Sequence, residues 1–111
     1  MEKYMEYLRA QNAALKEEAE KLKKDDRIDE SNLAKVRANI YDVCAAVCKV
    51  HMNRPGGGPD AYRAQLEKFK TQWSAERERV AAHGDTEKAI IEDIKLEALA
   101  DIAAKFEEAA E

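Results

Sequence analysis

Residues that break helices are nearly missing from this chain. Its 111 residues include two prolines and four glycines, and all of these except Gly84 fall between Pro55 and Pro59. Sandwiches and barrels turn often and need more such punctuation, so the shortage argues against β-architecture. Large aromatics are also few, with one tryptophan, two phenylalanines and four tyrosines. The two cysteines stand four apart on one periodic stretch, which is not the disulfide framework of a small secreted domain. No apolar run approaches the roughly 20 residues that a helix needs to cross a bilayer. The opening Met1-Glu2-Lys3-Tyr4 begins a polar periodic pattern, unlike a signal peptide. The expectation from these absences is a cytoplasmic chain with no membrane partner.

An excess of charge is missing too. Charged residues make up 38% of the chain, yet the net charge is only −4. That balance gives no general attraction to phosphate backbones or anionic lipid. Lys35, Arg37, Lys49 and Arg54 add modest positive charge, but no arginine-rich tract or short helix-turn-helix pair accompanies them. Nucleic acid is therefore not an expected partner. Residues 85–111 are acidic, and a basic protein surface would suit them.

What fills the chain is apolar residues at helical spacing, with alanine the commonest residue. Alanine favours helix over strand and lets helices approach closely. Met1, Tyr4, Met5, Leu8, Leu15 and Leu22 form a first stripe, interrupted by Asn12 and with Ala19 filling one turn. Lys21, Lys23 and Lys24 sit where positive charge offsets the helix dipole. Asp29 or Ser31 is expected to cap the second helix, with Ile28 as a hydrophobic staple. Leu33, Val36, Ile40, Val43, Val47 and Val50 define its expected core face. Pro55–Pro59 breaks the pattern, and three glycines without a following Lys-Ser/Thr pair do not make a phosphate loop. Asp60 is the expected cap of a third helix whose apolar face is Tyr62, Leu66, Phe69, Trp73 and Val80. Gly84 suits a left-handed helix end and Asp85 a cap. Ile90, Ile91, Ile94, Ala98, Ile102 and Phe106 stripe the fourth helix, widened by Leu96, Leu99, Ala103 and Ala110.

The expected architecture is all-α, an antiparallel up-down four-helix bundle. Its variant is two helical hairpins exchanged in a homodimer. The chain reads as one domain, 1–111, with helices near 2–24, 30–52, 60–82 and 86–108 and a flexible connector at 53–59.

Chemistry concentrates in one place. Cys44, Cys48 and His51, with Tyr41 one turn earlier, share a helical flank. Three donors on one rigid helix rarely converge on a single tetrahedral ion, and Cys-x-x-x-Cys is not a zinc-knuckle spacing. A thiol enzyme built on Cys48 and His51 lacks an orienting third group and an oxyanion site, because N–H groups inside a helix are already bonded. No Glu or Asp stands three residues before either histidine, as a two-metal bundle requires. Glu92, Asp93, Glu97, Asp101 and Glu108 fall mostly on the solvated face of the last helix. No cofactor or metal is called for, and catalysis is the less favoured reading.

The leading expectation is a small non-enzymatic bundle acting by self-association or protein–protein contact. The broad apolar arc of the last helix, at Leu96, Leu99, Ala103 and Phe106, is its expected interface. The alternative is a small-molecule site between helices, lined by Tyr41, Cys48, His51 and Trp73.

Overall fold

The computed structural model describes residues 1–110. It is an all-α, antiparallel up-down four-helix bundle, with helices α1 (Glu2–Lys24), α2 (Ile28–Asn53), α3 (Pro59–Ala82) and α4 (Thr86–Ala110). There is no strand among the described residues, and no helix there is long and apolar enough to cross a membrane. Short turns force successive helices to run antiparallel. The bundle is flattened, 45 × 34 × 21 Å. α1 pairs with α2 and α3 with α4, and these hairpins meet chiefly where α2 faces α4. α1 and α3 are the far corners of the rhombus, and their backbones do not approach each other.

This packing decides which face of α2 is the core. Of the expected stripe only Ile40 is buried, and Val50 is 60% exposed. The buried face is instead Ser31, Ala34, Ala38, Tyr41, Cys44 and Cys48, at steps of three and four. α2 touches all three other helices. Small side chains let those backbones come close, whereas β-branched ones would hold them apart, so the valines lie on the flanks. Two polar links fix α1 on this face. Asn12 Nδ2 donates to the Ala38 carbonyl at 2.8 Å, and Ser31 Oγ donates to the Ala19 carbonyl at 2.7 Å.

Ser31 is thus a cross-link and not a cap. α2 opens after Arg27 without a side-chain cap. The turn before it is set by Asp26 at φ 61, whose neighbour Arg27 returns its N–H to the Leu22 carbonyl at 2.9 Å. Asp60 does not cap α3 either, because the helix starts one residue earlier, after Gly58, with Pro59 in its first turn. Asp60 pairs with Arg63 at 2.7 Å. The loop between α2 and α3 folds back, and Gly58 N–H bonds the His51 carbonyl at 2.9 Å. A Cβ on Gly57 would lie 2.0 Å from that same oxygen, so only glycine fits. Asp85 does act as a cap, accepting from the Lys88 N–H at 3.1 Å.

Candidate functional site

The flank of Cys44, Cys48 and His51 is where chemistry is expected, and the fold places its members apart. Cys44 and Cys48 are buried free thiols. Burial pushes the Cys44 thiol up to about 12, and neighbouring Cys48 adds to the rise. Burial also raises Cys48. Both thiols are protonated at neutral pH, and a protonated thiol is a poor nucleophile. His51 lies further along α2. Its ring, with Val47, Gln65 and Phe69, lines a cavity of about 310 Å³ between α2 and α3, and its Nδ1 is buried without a hydrogen-bond partner.

Cys48 lines a different cavity, of about 300 Å³, against α1. Tyr41 points elsewhere again, with its hydroxyl 2.6 Å from Asp101 Oδ2 on α4. Trp73 stacks on Phe69, ring centroids 4.9 Å apart and planes 5° from parallel. Its face also receives Lys95 Nζ at 4.8 Å from the centroid. Of the four residues expected to line one small-molecule pocket, Cys48 and His51 thus line separate cavities, and Tyr41 and Trp73 meet partners on α4. Phe69 comes nearest to linking two of them, since it lines the His51 cavity and stacks on Trp73.

A polar network that the sequence pattern does not reveal occupies the end nearest the glycine loop. Tyr7 on α1 and Tyr41 on α2 both donate to Asp101 Oδ2, each at 2.6 Å. Tyr4 and Tyr62 share a hydrogen bond of 2.7 Å, which ties α1 directly to α3. Tyr62 also donates to the Cys44 carbonyl at 3.3 Å. Burial, aided by the Asp101 carboxylate, pushes the Tyr7 hydroxyl up to about 12. Burial foremost also drives Tyr4, Tyr41 and Tyr62 upward. Such phenols donate hydrogen bonds and keep their protons, as helix cross-links do. Tyr4 and Tyr7 stand three apart and so share a flank, but nothing in the pattern says which carboxylate faces them.

The acidic residues of α4 are accordingly not a solvated row. Asp101 is half-buried beneath two phenols. Glu92 is only 7% exposed and pairs with Lys95 at 3.0 Å. Asp93 meets Arg77 of α3 at 3.1 Å, and Glu97 meets Arg37 of α2 at 2.7 Å. Among the described residues, no group of three or more His, Cys, Asp or Glu side chains is arranged to hold a metal ion.

The expected interface residues of α4 divide. Phe106 is fully buried, with its ring 4.9 Å from Tyr62 and 5.5 Å from Tyr4. It belongs to the internal core, because the aromatic layer closes over it. Leu99 is buried in the core as well, and with buried Leu66 it floors a groove of about 440 Å³ between α3 and α4 whose half-buried apolar side chains are Leu96 and Ala103. Glu67, Lys70 and Ser74 edge this groove on the α3 side. Its walls are apolar and its rim is polar, the usual anatomy of a protein-contact patch.

The fold and these sites define an all-α helical bundle whose open features include a groove and small cavities. No protein-family model matches the chain, and neither a curated protein nor a solved structure matches it.

Proposed function

We propose that this chain is a non-enzymatic helical bundle that works by binding protein, through the face formed by α3 and α4, and that a second copy is the first partner to test. The observation that supports the reading is the groove floored by buried Leu66 and Leu99 and flanked by the half-buried Leu96 and Ala103. A bundle fills its interior, and an apolar groove left between two of its helices is surface that a partner's side chains would cover. The acidity of α4 weighs against nucleic acid. Two free cysteines accord with a reducing, cytoplasmic setting.

Solution mass tests this reading. Light scattering across a concentration series is expected to give twice the 12.5 kDa of one chain. Leu96→Glu and Ala103→Glu are expected to return the mass to that of one chain while leaving helix content unchanged. A dimer indifferent to both substitutions would place the interface elsewhere. A 12.5 kDa species at every concentration would remove self-association.

A further inference from the structure

The cavity beside Cys48 has an unusual lining. It takes in Met1 and Met5 from the start of the chain and Cys48 and Met52 from α2. The chain has three methionines and two cysteines, so every thioether and one of the two thiols meet in a space of about 300 Å³. The arrangement follows from the helix period. Met1 and Met5 are one turn apart, as are Cys48 and Met52, and the antiparallel α1–α2 pairing sets the two pairs face to face. Bundles build metal sites in this way, from side chains on facing helices. The objection to three donors on one helix does not apply, because these donors come from two helices.

The donor chemistry is selective. Thioethers are weak ligands for zinc, calcium or magnesium but good ones for soft monovalent ions. Glu2 and Glu6 stand at the same cavity and oppose the charge of Arg9 and Lys49, which also border it, while the N-terminal ammonium adds a further positive charge that acts on Cys48. We propose that Met1, Met5, Cys48 and Met52 form a binding site for a soft monovalent metal ion of the copper(I) class. Coordination replaces the Cys48 S–H bond with a sulfur–metal bond, and the proton leaves to solvent. The metal enters and stays as the monovalent ion, so no oxidant or reductant is needed. Displacement of a proton makes binding tighten as pH rises.

The test uses the full chain under anaerobic conditions, with copper(I) supplied against a chromogenic chelator and silver(I) as a redox-inert probe. One metal ion per chain is expected. Met5→Leu and Met52→Leu keep volume and apolarity, so the fold should stand. Each is expected to weaken binding by roughly tenfold or more. Cys48→Ser should abolish tight binding, with helix content checked by circular dichroism, and Cys44→Ser should leave it unchanged. Wild-type affinity in the Met5→Leu/Met52→Leu double variant would overturn the site. So would loss of binding on Cys44→Ser alone, or failure of the wild-type chain to compete with the chelator.

Discussion

At the end that carries the Pro55–Gly58 loop, Tyr4, Tyr62 and Phe106 pack edge to face over Ile102 and Cys44. At the opposite end, where the two short turns lie, the buried residues are Ala19, Ser31, Ala34, Val80, Ala89 and Glu92. Leu22 and Ile94 there stay half-buried, with Leu33, around an open cleft. One end is held by large rings and shared hydroxyls, and the other by close backbones and turn geometry. The same four helices thus gain stability in two ways, and each predicts a different response to substitution.

The largest effect is expected at the aromatic end. Phe106→Ala should lower unfolding free energy by about 3–5 kcal/mol, because rings on two sides cannot collapse into the space left. Val80→Ala at the other end removes two methyl groups and should cost about 1–2 kcal/mol. Urea unfolding of both variants checks the ratio, and equal losses would erase the distinction between the ends.

Alkaline pH should act on the aromatic end as well. The Cys44 thiol, ordinarily near 9, and the phenols, ordinarily near 10, are held higher in the folded chain. Their protonated forms are the ones that folding favours. The resulting stability is fully present below about pH 9 and is lost as pH rises toward the folded values. Between its ordinary and its folded value, each group gives up about 1.4 kcal/mol for every tenfold fall in proton concentration. The urea midpoint should therefore start to fall near pH 9 and drop more steeply above about 10. Tyr62→Phe should flatten the steeper part. A midpoint that stays level from about pH 8 to about pH 11 would contradict the buried-phenol account.

How much of this is legible in the sequence differs between the two ends and between scales. Helix count and the up-down arrangement follow from apolar spacing and from sparse glycine and proline, which are local signals. The core face of α2 does not. Hydrophobicity alone selects the valines, while the structure selects Ala38, Cys44 and Cys48, because α2 is crowded on three sides and its neighbours' distance is a property of the assembled bundle. Asp101 shows the same limit. Its helical position reads as solvated until Tyr7 and Tyr41 arrive from other helices. Leu96 and Phe106 share one apolar arc in the pattern, yet one flanks a groove and the other is sealed beneath two tyrosines. Periodicity gives faces, and only packing says what each face meets.

The smallest expected effect belongs to the turns, and it asks whether backbone geometry governs the end that lacks rings. Asp26 holds φ 61 and Gly84 holds φ 73, both in the left-handed region that penalises a Cβ. Asp26→Gly removes that penalty, roughly 1 kcal/mol for an ordinary side chain and less for aspartate, but frees the unfolded chain by about 0.4–1 kcal/mol. The two nearly offset, so Tm should move by no more than about 3 °C. Gly84→Ala sharpens the comparison. A Cβ there meets no atom within 4 Å, so no clash enters, and φ strain of about 1–2 kcal/mol, less about 0.4–1 kcal/mol from the stiffer unfolded chain, should leave a loss of up to about 1 kcal/mol. If Gly84→Ala is neutral while Val80→Ala, one helical turn earlier, is not, then side-chain burial and not turn geometry closes this end too.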